Sequence, residues 1–340
     1  MGRCRAHQTD RKRRGELQNA RRGRVSGRTF AIINPASGGG RTGRDWPEIQ
    51  KKLEAALGTV TPLFTDGPAT PHHLPAANLA RDATDKGADL VIAVGGDGTI
   101  NETINGLFHD VSDGQAPAPL GLINTGTGGD FRKTFELPAD LDACIERLAN
   151  GSSRTIDIGR LTFNADDNAP LARHFNNIAS FGMSGAVDRA VNKARFSKLF
   201  GGSFAYLWAT LSTALRYRPQ AVRIRTESGW DEVINVGTAA VANGRFFGGG
   251  MMMAPDAAPD DGAFDLVIMR DTSVSDLFKD SGSLYDGTHV ENEKVIVTRT
   301  RWVEAEPIDT APVLLDIDGE APGKLPARFD ILPSALTLRC

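Results

Sequence analysis

The chain has 340 residues, room for two domains, and its composition (40% hydrophobic, 24% charged, Gly 37, Pro 18) is that of an ordinary soluble globular protein. No internal repeat or low-complexity period is present, and no apolar stretch reaches the length of a bilayer span, which leaves only peripheral contact with a membrane. The net charge of −3 is unevenly placed: residues 1–28 hold ten Arg or Lys against Asp10 and Glu16, or +8, so the remainder carries −11.

No apolar run follows the arginines of residues 1–28, so this stretch reads as a disordered basic arm and not as a secretory signal: either an unstructured extension without a function of its own or a segment suited to an anionic surface such as lipid. Aromatics do not interleave with those arginines, which argues against nucleic acid as a partner. Cys4, Cys144 and Cys340 lie far apart without CxxC spacing and read as free thiols of a reducing, cytoplasmic compartment. His72 and His73 have no partners at ligand spacing and read as surface residues.

Residues 28–35, RTFAIINP, predict a first strand, and Ala36-Ser37-Gly38-Gly39-Gly40-Arg41 a glycine-rich turn after it. A helix follows around Pro47 to Leu57, with Ile49, Leu53, Ala56 and Leu57 on one face. Residues 60–65 form a short strand, and a helix over 79–86 leads into the apolar run Leu90 to Val94. That run has the length of a buried parallel strand; Gly95-Gly96-Asp97-Gly98-Thr99 turns after it, and a helix begins near Asn101. A third unit repeats the pattern: strand 120–124, the turn Thr125 to Phe131, and a helix over 141–149. Beyond residue 155, short Val-, Ile-, Phe- and Thr-rich runs recur between turns, which predicts a mostly antiparallel β domain. Within it, residues 197–216 have the period of an amphipathic helix.

Turns that follow parallel strands converge at the carboxyl edge of the sheet, where the free N–H groups and dipole of a following helix favour phosphate. Asp97 would repel phosphate unless a cation lies between them, and Mg²⁺ prefers oxygen ligands. The chain has no GKS or GKT phosphate loop and no HRD or DFG set, which argues against P-loop and protein-kinase readings. The absence of GxGxxG after the first strand argues against a dinucleotide dehydrogenase.

The segments NPASGGG at 34–40, GGDGTINETINGL at 95–107, GTGGDF at 126–131, TIDIG at 155–159, GGGMMMAPDAAPDDGAFDLVIM at 248–269 and DGE at 318–320 resemble the diacylglycerol kinase catalytic-domain family, which includes sphingosine and ceramide kinases. GGDGT is shared with NAD kinases; the glycine-methionine segment and the late DGE are more specific to the lipid group. The resemblance implies an α/β nucleotide domain over 29–154, doubly wound, and a mostly antiparallel, β-sandwich-like lipid-binding domain over 155–324. It also implies a segment, 325–340, that returns to the first domain, with ATP and lipid meeting in the cleft between the domains.

The candidate nucleotide contacts are Asn34, Ser37, Gly38, Gly39 and Gly40 from the first turn, and Gly95, Gly96, Gly98 and Thr99 from the second. Thr65, Glu102, Gly126 and Thr127 complete the set. By the resemblance, Asp97, Asp130 and Asp157 form the catalytic Mg²⁺ network, Asp260 or Asp261 holds a structural second ion, and Glu320 is the general base. One position departs from the family: members carry Asn before the aspartate of GTGGDF, and here it is Gly129, so backbone or water must replace an amide or ATP binds weakly. Phe175, Phe181, Met183, Phe200, Phe204, Trp208, Phe246, Phe247 and Met251 to Met253 supply enough apolar surface for an acyl-chain groove, and most of them would serve equally as core.

These features together lead to an ATP- and Mg²⁺-dependent lipid kinase at the inner face of the membrane, with diacylglycerol as the first acceptor to consider. Ceramide or a sphingoid base is an alternative acceptor, and a NAD kinase or a non-catalytic lipid- or nucleotide-binding regulator an alternative function. Dimerisation is open for such a protein, and no pattern fixes an interface.

Overall fold

The computed structural model describes residues 27–70, 72–111, 114–126, 128–187, 189, 217–271 and 281–340. The basic arm up to residue 26, Thr127, the helix expected at 197–216 with Phe200, Phe204 and Trp208, and residues 272–280 lie outside the described residues.

The first domain is a three-layer α/β unit. Strands β1 (Thr29–Ile33), β2 (Val60–Phe64), β3 (Leu90–Gly95) and β4 (Leu120–Asn124) are parallel in the order β4-β3-β1-β2. Every residue of β1 and β3 is buried, because helices cover both faces. Helices α1 (Ser37–Leu57) and α5 (Leu141–Asn150) press Trp46, Leu53, Ile145 and Leu148 onto Ile33, Leu90, Ile92 and Val94. On the opposite face α2 (Pro75–Asp85) and α3 (Asp97–Leu107) press Ala80, Ile100 and Ile104 onto Ile32, Val91 and Ala93. Alternate residues of one strand thus serve two cores. Helix α1 starts earlier than the sequence suggests: Pro47 lies inside it, and the departure from helical geometry falls at Gly38, Gly39 and Gly40, with φ of 61°, 69° and 84°.

The second domain is a mostly antiparallel β-sandwich. It contains β5 (Ser153–Asn164), β6 (Pro170–Phe175), β7 (Ile178–Gly182), β8 (Gln220–Thr226), β9 (Asp231–Ala242), β12 (Phe264–Arg270), β13 (Val295–Thr300), β14 (Trp302–Pro307) and β15 (Leu315–Ile317). A small hairpin, β10 (Phe246–Phe247) with β11 (Met251–Met252), stands apart. Phe175 and Phe181, expected in an acyl groove, are instead fully buried core residues: Phe175 stacks on Phe264 at 5.5 Å and Phe181 lies 6.1 Å from Phe329. Their positions on β6 and β7 point into the sandwich, and the lipid-groove assignment fails for both.

The last strand, β16 (Lys324–Arg339), joins the domains. It pairs antiparallel with β5 from Lys324 to Arg339, with β14 over Ala327–Asp330, and parallel with β4 at Leu338 and Arg339. Its register shifts between Leu332 and Leu336, where Pro333 has no N–H to donate and Ser334 has φ of 51°. Before the shift Ala327, Phe329 and Ile331 belong to the sandwich core; after it Ala335, Leu336 and Leu338 enter the first domain's core.

Helix α3 carries the residues that face the cleft, and its seat depends on one glycine. A Cβ at Gly106 would overlap the carbonyl oxygen of Ala77 and lie 2.7 Å from the Ala80 methyl on α2. Gly106→Ala is expected to destabilise the protein by about 1–3 kcal/mol in urea unfolding, although alanine is the better helix former by about 1 kcal/mol.

Candidate active site

The carboxyl ends of β1, β3 and β4 bring their three turns into contact. Asn34 N–H donates to the Val94 carbonyl at 3.0 Å and Thr125 N–H to the Gly95 carbonyl at 2.8 Å, so the turns continue the strand pairing. Asn34 Nδ2 donates to Thr99 Oγ1 at 3.2 Å while its Oδ1 accepts from Ala36 N–H at 3.1 Å, which braces the first turn on the second. Thr42 and Thr125 hydroxyls lie 2.6 Å apart. A Cβ at Gly126 would come within 2.6 Å of the Gly96 Cα, so backbone meets backbone there. Helix α3 begins after Gly96, and its first regular bond is Ile100 N–H to the Gly96 carbonyl, so the preceding N–H groups at Asp97, Gly98 and Thr99 lie in the unpaired first turn.

Acidic groups surround this edge. Asp97 Oδ2 accepts from Gly129 N–H at 2.7 Å, and Asn124 Nδ2 lies 3.4 Å from Oδ1. Burial, with the neighbouring Asp130 carboxylate adding to it, raises the Asp97 pKa above the ordinary range. Asp130 opens the short helix α4 (Asp130–Thr134) and accepts from Lys133 Nζ at 3.0 Å and Gly249 N–H at 2.7 Å.

Glu320 arrives from the second domain on a two-residue turn, Asp318-Gly319, with φ of 48° and 89° and a bond from Glu320 N–H to the Ile317 carbonyl at 2.9 Å. Two successive positive φ values give the primed hairpin turn for which Asp-Gly is suited. Glu320 Oε1 lies 3.7 Å from where a Cβ on Gly98 would sit. Asp318 is half-buried with its carboxylate turned inward, accepts backbone N–H groups from Asn176 at 3.1 Å and Ile178 at 2.9 Å, and has its pKa pushed up to about 6 by desolvation of that carboxylate.

One cleft of about 1170 Å³ unites these parts. Asn34, Ser37, Gly38, Gly39, Gly96, Asp97, Gly98, Thr99, Glu102, Gly126, Asp130 and Glu320 line its polar part, and Met183, Phe247, Met251, Met253, Met269, Leu284 and Tyr285 its apolar part. Gly40, Gly95 and Thr65 are outside the lining: Gly95 ends β3 with no room for a side chain against Thr99, and Thr65 N–H donates to the Ile33 carbonyl at 2.9 Å. Asp157 is also elsewhere, fully buried, accepting from Ser334 N–H at 2.6 Å and Gly262 N–H at 2.7 Å. Asp260 pairs with Arg154 at 2.6 Å and Asp261 with Arg299, both at the surface. Among the described residues, no three Asp, Glu, His or Cys side chains are grouped to hold a metal.

The comparisons with known proteins follow this division. The diacylglycerol kinase catalytic domain model matches residues 28–161, and the YegS C-terminal NAD kinase beta sandwich-like domain model matches residues 177–340. A diacylglycerol kinase of Staphylococcus epidermidis is 30% identical over 305 residues, covering 89% of this chain and 88% of its own. The chain belongs to the diacylglycerol kinase catalytic-domain family. A diacylglycerol kinase of Mycobacterium tuberculosis is 29% identical over 311 residues, covering 91% of this chain and 94% of its own. A diacylglycerol kinase structure from Bacillus anthracis shares the fold with a TM-score of 0.66 at 19% identity, over 93% of this chain and 98% of that one.

Within this family the position before Asp130 is the departure noted above. Gly129 adopts the left-handed conformation, with φ of 69°, and so turns its own N–H onto Asp97. The Asn124 amide occupies the space beside it, 3.4 Å from a Cβ placed on Gly129, and its Oδ1 accepts from Gly126 N–H at 2.9 Å. A backbone donor and an amide from β4 therefore face Asp97. Asn124 and Lys133 were not singled out from sequence; their signal is only adjacency to the recognised turns, since their types are common in loops.

Glu102 sits at the cleft wall, where its carboxylate accepts from Ala76 N–H at 2.9 Å. Burial, helped by the Glu320 charge, raises its pKa to about 7. A carboxyl raised in the folded state stabilises fully in acid, and that contribution is lost as pH rises through about 7. Glu102→Gln is therefore expected to stabilise the protein against thermal unfolding near pH 8.5, by at most about 3 kcal/mol, and to change little near pH 4.

Proposed function

We propose that the chain transfers the γ-phosphoryl group of ATP to a hydroxyl of a membrane-derived lipid, with Mg²⁺, and that diacylglycerol is the acceptor to try first. The observation that carries this reading is the two-ended cleft: glycine turns with a half-buried aspartate, Asp97, at one end, methionine and aromatic walls at the other, and Glu320 along the same cavity. The names of the relatives from S. epidermidis and M. tuberculosis supply the first acceptor.

The donor set fits Mg²⁺ of the kind that keeps waters and takes substrate phosphates as ligands, since that ion needs only one or two carboxylates. Asp97, with Asp130 beside it, would hold the ion; when bound, it neutralises charge on the phosphates. The N–H groups at the start of α3 and the Thr99 hydroxyl bind phosphate oxygens, and the Gly38-Gly39 turn closes over them. Glu320 accepts the proton of the lipid hydroxyl. The hydroxyl oxygen then forms its bond to the γ-phosphorus as the bond from that phosphorus to the bridging oxygen breaks, and ADP leaves with the electron pair.

The acceptor reaches this site from a membrane surface. Among the described residues no helix is long and apolar enough to cross a bilayer, and the basic residues before the fold are suited to anionic headgroups at the cytoplasmic face.

The test is transfer of labelled phosphate from ATP to diacylglycerol, ceramide and sphingosine in mixed micelles, with NAD as a soluble acceptor, for the parent protein, Glu320→Gln and Asp97→Asn. Phosphate on one lipid, reduced about 100-fold or more in both variants, is the expected outcome. A folded parent protein that binds ATP and labels no lipid would overturn the reading.

A further inference from the structure

The turn that carries Glu320 comes from the second domain, whereas Asp97 comes from the first, and phosphoryl transfer depends on their separation. Asn101 lies one helical turn after Asp97 on α3 and is buried. Its Nδ2 donates to Asp318 Oδ2 at 2.8 Å and to the His174 carbonyl at 3.0 Å, and its Oδ1 accepts from Asn105 at 3.0 Å. Asp318 Oδ2 also accepts from Asn176 N–H at 3.1 Å, and Oδ1 accepts from Asn177 N–H at 3.2 Å and Ile178 N–H at 2.9 Å. Both oxygens of the buried carboxylate are thus committed, and the one side-chain donor among their partners comes from the helix that bears Asp97. We propose that Asn101 is a positioning residue, which grips Asp318 and thereby fixes the Glu320 turn opposite Asp97.

The inference rests on the kinase reading and adds a residue that touches neither phosphate nor acceptor. Its geometry also contains a control. Asn105, one turn further along α3, docks the same helix on β6 through Nδ2 to the His174 carbonyl at 2.9 Å and from His174 N–H to its Oδ1 at 2.8 Å. It makes no contact with Asp318; its Nδ2 also donates to Asn101 Oδ1 at 3.0 Å, so its removal takes a neighbour from Asn101 and leaves the Asn101–Asp318 bond in place. Loss of Asn105 loosens the join between the domains; loss of Asn101 loosens the join and the turn.

The experiment compares Asn101→Ala, Asn105→Ala and Asp318→Asn by thermal unfolding, ATP binding and steady-state phosphorylation of the lipid that the parent protein uses. Asn101→Ala is expected to lower kcat by about 10- to 100-fold with KM for ATP within about threefold of the parent. Asn105→Ala is expected to lower the unfolding temperature comparably and to keep kcat within about threefold. Asp318→Asn, which keeps the shape and removes the charge, is expected to repeat the Asn101→Ala split, and it serves as the deciding arm if Asn101→Ala does not fold. Equal kcat losses in the Asn101 and Asn105 variants, or an unchanged kcat in Asp318→Asn, overturn the inference. A parent protein without lipid kinase activity is a different failure, that of the proposed function itself.

Discussion

The antiparallel ladder between β5 and β16 is the interaction on which the rest of the molecule depends. It runs from Lys324 paired with Asn164 to Arg339 paired with Ser153, and β16 contributes to both cores on the way. A single sheet of 14 strands therefore passes through both domains, so the two walls of the cleft are joined by backbone hydrogen bonds as well as by side-chain contact. The ladder shifts register twice, between Lys324 and Ala327 and again at Pro333-Ser334, and at the second shift the Asp157 carboxylate accepts Ser334 N–H from one side and Gly262 N–H from the other. An aspartate that sequence resemblance placed at a metal ion thus braces the ladder, with both oxygens already engaged.

Electrostatically the cleft is a region of desolvated negative charge. Burial raises the pKa of Asp97, Glu102 and Asp318, and in each a second carboxylate adds to the shift. Charges held in this way reduce stability wherever they are ionised, a cost that the proposed cation would offset. Lys133 offsets part of the charge through Asp130 at 3.0 Å. The N–H groups at the start of α3 offset more, because the helix dipole places positive potential beside Asp97.

The fold was legible in the sequence for physical reasons that can be named. Leu90 to Val94 is wholly apolar because helices bury both faces of a parallel strand, and the Val-, Ile-, Phe- and Thr-rich runs after residue 155 belong to the antiparallel strands of the sandwich. The glycine turns were legible because positive φ at Gly38, Gly39 and Gly40, and backbone contact at Gly126, exclude side chains. Less could be read where the same residue type serves two purposes. Asp97 and Asp157 both follow apolar residues near glycine, yet only the first faces the cleft. Phe175 and Phe247 are both aromatic residues near turns, yet one fills the sandwich and the other lines the cavity. Asn101 escaped because a neutral amide inside a helix carries no pattern until its partner, 217 residues away, is in place.

The two ends of the cleft share one carboxylate, that of Asp130. The apolar wall at Phe247 and Met251 belongs to the β10–β11 hairpin, whose turn is Gly248-Gly249-Gly250 with φ of 60°, 89° and 115°. Such a turn has few side-chain contacts of its own to hold it, and Gly249 N–H instead donates to Asp130 Oδ2 at 2.7 Å. The other oxygen of that carboxylate binds Lys133, and its charge raises the pKa of Asp97. Asp130 therefore belongs to both ends of the cleft: one oxygen holds the glycine turn of the hairpin, the other holds Lys133, and the carboxylate stands beside Asp97.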